Sequence, residues 1–318
     1  MFFCTIQENS DLAKTYRGHF TGDPAPTGPL TFVYWLKSVT GPTNIYLQSL
    51  VSYFREVQAM TEEKLNEVVS FQRLVCNDDK VWNPKGSTIN TVDIEVHFDG
   101  RIGDKEQVEI DFANKNVGFG TTGTQEELML GTSPETCPIV LFNEVLEPHE
   151  AIAMVGAKKY GDFTGYGRQA AYAGPFNADW DWKNRKIIAI DAICGPRDQL
   201  GDMTMFRELR KAWVGFKAGE GECLSSGHWG CGAFGGDQDV KCLVQVMAAS
   251  MAGVKRLDFY SFGDQKFYNK FSTAMRAAKG RDVGWMWEKI VQFRKRVPGT
   301  VSVLDYIAAD HAMGAVKE

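Results

Sequence analysis

Apolar residues recur along this chain at two different spacings. Over Asn44–Met60 they follow one face of a helix, with Thr43 or Asn44 as the expected N-cap. Over Val92–Phe98 every second residue is apolar, which predicts a half-buried strand. The segment Lys186–Ile193 is almost continuously apolar and is the clearest strand in the chain.

The same two patterns continue through the rest of the sequence. Further strands are predicted at Val108–Phe112, Pro138–Phe142, Ala151–Val155 and Arg256–Ser261. Further helices are predicted at Gln125–Leu130, Met203–Phe216, Asp237–Met251, Phe267–Ala278, Trp285–Arg296 and Val303–Met313. Strands interleaved with helices predict a three-layer α/β domain.

Residues 1–41 differ from the rest because they are rich in Gly, Pro and Thr and carry turn signals. We interpret them as an irregular leader. We find no internal repeat, no low-complexity tract and no convincing linker. The sequence therefore predicts an N-terminal extension over 1–85, irregular with one helix and packed on the core, followed by one domain over 86–318.

The composition of the 318 residues is that of a globular protein, with 44% hydrophobic and 24% charged residues. Subtracting 40 acidic from 35 basic residues gives a net charge of −5, which argues against nonspecific binding to nucleic acid or membrane surfaces. A small anion held by backbone N–H groups needs no basic surface and stays compatible with this charge. An odd seven cysteines without a C-x-x-C pair, and no signal peptide, predict a cytoplasmic or nuclear protein.

The first segment that could carry chemistry is Asp111–Glu127. A strand end delivers Asp111 and Asn114 to one edge of the predicted sheet, and three glycines in the following loop let backbone approach a ligand closely. The residues Gln125–Glu127 then begin a helix, where successive side chains point about 100° apart, so the two glutamates must take different roles. The structural alternative is that the helix dipole favours acidic residues in a first turn.

The second segment, Ser226–Asp237, contains five glycines and leads directly into a helix, with Asp237 as the expected N-cap. Such a loop is a common phosphate site because its free N–H groups and the helix dipole both face the anion. A structural turn is the alternative.

The same loop satisfies G-x-G-x-x-G, with Asp258 on the next strand near the distance of a ribose-binding acid. A dinucleotide-dependent oxidoreductase using Gly230–Gly235 is therefore a rival interpretation. Two features count against it. The run Leu224–Trp229 makes a poor buried strand, and the motif lies too late in the chain to be followed by the second half of a doubly wound sheet.

Several features carry weaker signals. The aromatics of Tyr160–Gly167 could stack a base or simply pack beneath their loop, and Phe262 could offer a second aromatic face. Cys231 could have a lowered pKa near a helix N-terminus, although no histidine partner is evident in the sequence. The five histidines show no metal-ligand spacing, so no metal site is predicted.

Together these segments resemble the catalytic domain of poly(ADP-ribose) glycohydrolases, a relative of the macrodomain. The family's glycine loop and Gln-Glu-Glu motif match at Gly118–Gly120 and Gln125–Glu127, after a strand end that Ile110–Asn114 matches with one conservative change. The family's diphosphate loop matches at Gly227 and Trp229–Asp237.

The resemblance also covers two aromatic positions, since Thr164–Tyr166 and Phe262–Asp264 are similar to the adenine-side sites of the family. The matching segments run in order from the N-terminus to about Asp264. Several segments in one order are more specific than any single motif.

The resemblance implies a three-layer α/β/α macrodomain-like mixed sheet, and cleavage of ribose–ribose O-glycosidic bonds in poly(ADP-ribose) to release ADP-ribose. It implies that Glu127 is the general acid/base, that Glu126 holds ribose hydroxyls, and that Asp111 and Asn114 position these groups. The substrate-binding residues that it implies are Gln125, Gly118, Phe119, Gly120, Tyr166, Gly230, Cys231, Gly232, Ala233, Phe234, Gly235, Gly236 and Phe262. It implies poly(ADP-ribose) or ADP-ribosylated proteins as partners, and no cofactor, nucleic acid or membrane.

A glutamic acid that exchanges protons at neutral pH needs a raised pKa, so we expect Glu127 to be buried or to lie against an apolar wall. Two departures from the family pattern stand out. Phe119 replaces the middle glycine and would be costly if that position needed a positive φ, in which case the loop must be rearranged. His228 stands where family members commonly carry Asn. An ADP-ribose-binding module with little or no turnover is therefore an alternative function.

Overall fold

The computed structural model describes residues 39–105, 108–177, 180–195, 198–296 and 301–314. The strands are β1 Ser70–Val75, β2 Asp93–His97, β3 Val108–Asp111, β4 Glu150–Val155, β5 Gly161–Thr164, β6 Ala171–Pro175, β7 Lys186–Ala189, β8 Cys223–Ser226 and β9 Arg256–Tyr260. Within the described residues they form a seven-stranded sheet in the order β1-β4-β7-β3-β8-β9-β2 and a two-stranded sheet of β5 and β6.

Helices are interleaved with these strands. The α-helices are α1 Gly41–Ala59, α2 Glu62–Leu65, α3 Gln125–Gly131, α4 Ile139–Phe142, α5 Asp202–Phe216, α6 Gln238–Ala252, α7 Gln265–Ala278, α8 Val283–Arg294 and α9 Val303–Gly314. The expected α/β architecture with a mixed sheet is confirmed.

The chain divides into two compact units. Unit 1 comprises the residues up to Gln72 together with Asp111–Glu147 and Met154–Ala189. Unit 2 comprises Arg73–Ile110, Pro148–Ala153 and the residues from Ile190 onward. The boundary expected at residue 85 stays a prediction.

In unit 1, α1 begins earlier than its apolar pattern suggested. Its N-cap is Thr40, which forms a capping box with Thr43, so Thr43 is the third residue of the helix rather than its cap. The helix can start here because Pro42 lies in the first turn, where its missing N–H costs no hydrogen bond.

The buried face of α1 packs on α3. Tyr46 is only 1% exposed and belongs to a cluster with Ile45, Leu128 and Ala170. Its ring occupies the space that a Cβ on Gly131 would need, so glycine is required at that position. This packing brings α1 to the helix that begins with the Gln-Glu-Glu motif.

In unit 2, β3, β8, β9 and β2 pair in parallel. The expectation that Leu224–Trp229 makes a poor strand is wrong, because β8 is a regular and largely buried strand. Its two serines are tolerated because their hydroxyls are bonded. Ser225 donates to the carbonyl of Val108 at 3.1 Å, and Ser226 donates to Gln245 on α6.

Three other local expectations fail. The segment Pro138–Phe142 forms the short helix α4 instead of a strand, since periodicity cannot distinguish the two in so short an apolar run. The hairpin of β5 and β6 replaces the loop expected around Tyr160–Gly167. The strand at Lys186–Ile193 ends at Ala189.

The leader expected over 1–41 lies outside the described residues except for 39–41. Among the helices that the structure does describe, none combines the length and the apolar character needed to cross a bilayer.

Candidate active site

The site in unit 1 is built where β3 ends and α3 begins. Thr124 is the N-cap of α3, and its hydroxyl accepts from the N–H of Glu127 while the Glu127 carboxylate accepts from the N–H of Thr124. This capping box fixes the helix start. It also turns the side chains of Gln125–Glu127 back toward the loop that precedes them.

Glu126 is the buried carboxylate of the pair, with 8% exposure. Its two oxygens accept from the backbone N–H groups of Asn114 and Gly118, each at 3.0 Å. Burial raises the pKa of Glu126 well above its ordinary value, the charge of the buried Asp111 raises it further, and the two backbone hydrogen bonds oppose the shift. Glu126 therefore takes the buried position that the sequence analysis gave to Glu127.

Glu127 is half-buried and lies over the loop. It accepts from the backbone N–H groups of Thr122 at 2.8 Å, Gly123 at 2.5 Å and Thr124 at 3.2 Å. Its carboxylate occupies the space that a Cβ on Gly120 would fill, so the last glycine of the predicted motif is required by close packing. Of the two surroundings expected for Glu127, full burial is wrong, because the carboxylate is only half-buried where it accepts from the loop.

The remaining polar residues of the motif also hold backbone. The Gln125 side chain accepts from the N–H of Phe112 at 2.8 Å. Asn114 uses its side-chain oxygen to accept from the N–H of Asn116 at 3.0 Å. In this arrangement the N–H of Gly118 is bonded to Glu126, so this N–H is not available to a substrate, although the resemblance implies that Gly118 binds substrate.

Phe119 adopts its place in this loop without backbone strain. Among the described residues, Phe262 is the only non-glycine residue with a positive φ, so Phe119 does not need the freedom of glycine. The positive φ in this loop falls instead at Gly123, with φ 75°. The rearrangement expected from Phe119 is therefore not a matter of strain at that residue.

Two tyrosines lie beside the Glu127 carboxylate. Burial is the main cause that raises the pKa of Tyr166, the Gln125 backbone lowers it, and the charge of Glu127 raises it. Tyr166 keeps 47% exposure, which suits a stacking face. Burial and the charge of Glu127 also raise the pKa of Tyr46. The sequence analysis missed Tyr46, since its helical spacing indicates only a core position.

The glycine loop of unit 2 is held mainly by its own backbone. The N–H of Gly236 donates to the carbonyl of Gly230 at 2.8 Å, and the N–H of Gly235 donates to that of Gly232 at 3.0 Å. Positive φ values at Gly230 and Gly235, 71° and 66°, make these turns possible. Trp229 is fully buried and donates from its indole to the carbonyl of Ile190 at 2.9 Å, which anchors the loop.

Three consecutive N–H groups of this loop are free. Those of Gly232, Ala233 and Phe234 make no hydrogen bond to any described residue, and Gly232 and Ala233 are exposed. A run of free N–H groups is what an anion needs from backbone. Asp237 is confirmed as the N-cap of α6, accepting from Val240 at 3.0 Å.

Gln199, which precedes this loop in the chain, holds the end of the loop through two hydrogen bonds, and the sequence analysis missed it. Its amide donates to the carbonyl of Gly235 at 3.2 Å and accepts from the N–H of Asp237 at 2.6 Å. A glutamine in a polar connecting segment carries no sequence signal for such a contact.

The properties of Cys231 exclude nucleophilic catalysis by this loop. Burial raises the pKa of the Cys231 thiol to about 12, so this cysteine is not an activated nucleophile. His228 places Nε2 3.1 Å from the carbonyl of Ser261, so Nε2 carries the proton and Nδ1 is left as an acceptor. Burial lowers the pKa of His228, which keeps the imidazole neutral.

Phe262 follows Ser261 and presents its ring to solvent with 63% exposure. Its backbone φ of 53° is one that residues other than glycine rarely adopt. A strained, exposed aromatic residue next to a candidate ligand loop is consistent with a stacking role.

The dinucleotide interpretation loses its ribose-binding acid. Asp258 is fully buried, with one oxygen 2.7 Å from Nε2 of His97 and the other 2.8 Å from Nε of Arg256. With Glu95 these groups form a compact cluster that has the residue types of a metal site. Arg256 pairs with both of its carboxylates, so the cluster is part of an ion-pair network.

The structure thus brings most predicted site residues together within their own units. Unit 1 gathers Asp111, Asn114, Gly118–Gly120, Gln125–Glu127 and Tyr166 around one loop. Unit 2 gathers Gly230–Gly236 and, through the His228–Ser261 contact, Phe262.

These features define a macro-type α/β fold with an acidic site and an amide-lined loop. The family model described as poly(ADP-ribose) glycohydrolase, macro domain fold, matches residues 81–269, more than half of the chain. The chain belongs to the poly(ADP-ribose) glycohydrolase family.

Curated relatives agree with this assignment. A probable poly(ADP-ribose) glycohydrolase 2 of Arabidopsis thaliana is 30% identical over 355 residues, covering 92% of this chain and 66% of the relative. Poly(ADP-ribose) glycohydrolase 2 of Caenorhabditis elegans is 30% identical over 291 residues, covering 81% of this chain and 58% of the relative. The chain therefore spans less than two thirds of the length of either relative.

A solved poly(ADP-ribose) glycohydrolase mutant of Deinococcus radiodurans, in complex with ADP-ribose, is 13% identical and covers 71% of this chain and 95% of its own. Its TM-score is 0.37, so this likeness carries no argument and the assignment rests on the sequence match.

Proposed function

We propose that this protein is a glycohydrolase that cleaves the ribose–ribose O-glycosidic bonds of poly(ADP-ribose) and releases ADP-ribose. The observation that carries the proposal is the grouping of Asp111, Glu126 and Glu127 around one loop in a member of this family. The three free N–H groups of Gly232–Phe234 support it, because they suit the diphosphate of an ADP-ribose unit.

The chemistry needs one group that exchanges a proton twice. A carboxylic acid donates its proton to the leaving oxygen as the bond from that oxygen to the anomeric carbon breaks and a ribose oxocarbenium ion forms. Water then adds to the anomeric carbon, and the carboxylate takes up the proton that the water loses. Atoms and charge balance without a cofactor.

We assign this proton transfer to Glu127. Its carboxylate is half-buried, lies at the loop surface and adjoins the exposed Tyr166. Three backbone donors hold it in one position, which suits a group that must meet a substrate oxygen. Glu126 supports the loop through Asn114 and Gly118 and has little exposed surface.

Activity is tested by incubating the protein with purified poly(ADP-ribose) and measuring released ADP-ribose. Wild-type protein should release ADP-ribose, and Glu127→Gln should reduce turnover by about 10²–10⁴-fold, the usual contribution of a positioned acid/base. ADP-ribose affinity should change little, because the substitution preserves the shape of the side chain. Glu63→Gln, at an exposed position of α2, is the matched control and should retain wild-type turnover.

Two other outcomes are informative. ADP-ribose binding without any turnover in wild-type protein would favour the binding-module alternative. Turnover that survives Glu127→Gln but is lost in Glu126→Gln, with binding retained, would move the acid/base role to Glu126, whose raised pKa also suits it.

A further inference from the structure

A buried lysine lies directly beneath the neck of the glycine loop, where the Gly236 N–H meets the Gly230 carbonyl. A Cβ on Gly230 would come within 3.3 Å of Nζ of Lys241, and one on Gly236 within 3.0 Å of its Cε. The Lys241 side chain is 4% exposed, and Nζ lies 4.4 Å from the centre of the Trp229 ring. The ammonium is therefore separated from the loop surface by little more than the backbone itself.

Lys241 belongs to a cluster of five buried or nearly buried charges. The ion cluster consists of Asp191, Arg207, Glu208, Lys211 and Lys241. Lys241 pairs with Glu208, and Arg207 bridges Glu208 at 2.7 Å to Asp191. Lys211 pairs with Asp191 at 2.7 Å.

The charges of the ion cluster do not balance. Three cations face two carboxylates, which leaves one excess positive charge below the loop. The charge of Glu150 also acts on Lys211, but Glu150 pairs with Arg73 at 2.5 Å, so adding this pair leaves the excess unchanged. A buried uncompensated charge is costly in the folded protein, and either the loss of a proton or a bound anion relieves it.

Resting on the function proposed above, we propose that Lys241 is a positioning residue for diphosphate recognition, its buried ammonium supplying the countercharge for an anion bound to the free N–H groups of Gly232–Phe234. This places the positive charge inside the protein and not on its surface. A chain with net charge −5 can thereby bind a diphosphate without a basic face.

The surroundings of Lys241 predict that ADP-ribose affinity depends on pH. Burial, and then the charge of Arg207, lower the pKa of Lys241 to about 7, while Asp191 raises it. Below this value the ammonium is charged and attracts the diphosphate; above it the amine is neutral. ADP-ribose affinity should therefore fall as pH rises through 7, and binding near pH 7 should take up protons.

Two neighbours also titrate and define the controls. Burial lowers the pKa of Lys211 to about 8, with Asp191 opposing the shift. His228 in the loop has a lowered pKa and is neutral above pH 7. Lys241→Arg leaves both groups in place and keeps a permanent charge at position 241, so it isolates the contribution of Lys241.

The test is calorimetric titration of ADP-ribose into the full chain between pH 6.5 and 8.5, in buffers of different ionisation enthalpy. Wild-type affinity should weaken about tenfold across this range, as expected for loss of one charge several ångströms from the anion. Lys241→Arg should show a weaker pH dependence than wild type, the remainder being that of Lys211, and should take up fewer protons. Lys241→Met should bind about tenfold more weakly than wild type at pH 6.5.

Lys241→Met leaves Glu208 paired with Arg207 alone and brings the charges of the ion cluster into balance. Lys241→Met/Glu208→Gln is the second variant. It restores one excess charge without an ammonium at position 241, so it should stay weaker than wild type because the position of the charge matters. Equal affinity of wild type and both methionine variants would overturn the inference, as would the same pH dependence in wild type and Lys241→Arg. A purely structural lysine would lower stability without moving proton uptake. Wild-type protein that binds no ADP-ribose would overturn the proposed function as well, so the two failures are distinguishable.

Discussion

The two glycine-containing loops are held in opposite ways. In residues 112–124, six backbone N–H groups donate to the side chains of Gln125, Glu126 and Glu127. In residues 230–236, the loop closes on its own carbonyls and leaves the three consecutive N–H groups of Gly232–Phe234 free. The first loop uses its N–H groups to position acids, while the second leaves three of them unbonded.

This difference follows from the residues that come after each loop. The loop of unit 1 leads into a helix whose first turn carries two glutamates, and these bind the nearest N–H groups. The loop of unit 2 leads into α6, and the carboxylate of its N-cap residue Asp237 accepts from the N–H of Val240 inside the helix. Two loops with similar glycine content therefore suit different tasks, proton transfer and anion binding.

The largest effect should come from removing the acceptor that holds the first loop. Glu126→Ala leaves the N–H groups of Asn114 and Gly118 without a partner and should lower the free energy of unfolding by about 2–4 kcal/mol. Relief of repulsion with Asp111 offsets part of this loss. Urea unfolding measures it, with the exposed Glu63→Ala as control, expected within about 0.5 kcal/mol of wild type. Equal stability of the two variants would contradict the conclusion that Glu126 holds this loop in place.

The sequence predicts the elements of this site better than their contacts. The start of α3 at Gln125 and the N-cap at Asp237 are both correct, because capping and acidic first turns have local causes. Which glutamate is buried is not a local property. It depends on the capping box and on the buried Asp111, which only the folded chain brings together.

The same limit explains what the sequence missed. The local sequence pattern indicates only a core position for Tyr46, a polar turn for Gln199 and a helix face for Lys241. Each gains its role from a partner distant in sequence. The poor-strand expectation for Leu224–Trp229 failed for a related reason, since Val108 and Gln245 satisfy the buried serines.

An effect of intermediate size is expected when two glycines of the second loop are each replaced by alanine, since the two variants should differ in stability. Gly230 has φ 71°, and a Cβ there would lie 2.5 Å from that of Ala192, whereas a Cβ on Gly232 would meet nothing within 4 Å. Gly230→Ala should therefore lower the free energy of unfolding by about 1–3 kcal/mol. Gly232→Ala should be within about 0.5 kcal/mol of wild type.

Thermal unfolding and ADP-ribose titration together measure this contrast. Gly230→Ala should lose both stability and affinity, because the neck positions the free N–H groups. If Gly230→Ala kept wild-type affinity, the loop would not need its own closure to present an anion site, and the contrast between the loops would be lost.

The smallest expected effect concerns Phe262, which adopts a φ of 53° with its ring 63% exposed. Phe262→Ala and Phe262→Gly remove the same ring, but only glycine adopts a positive φ without strain. Phe262→Gly should therefore be more stable than Phe262→Ala by about 0.5–1 kcal/mol. This is the reverse of the usual order, in which glycine destabilises a protein by increasing the conformational entropy of the unfolded chain. Both variants should bind ADP-ribose equally weakly if the ring stacks on adenine. Equal stability of the two in urea unfolding would show that the backbone stores no strain here, whereas equal loss of affinity would still locate the ring at the ligand.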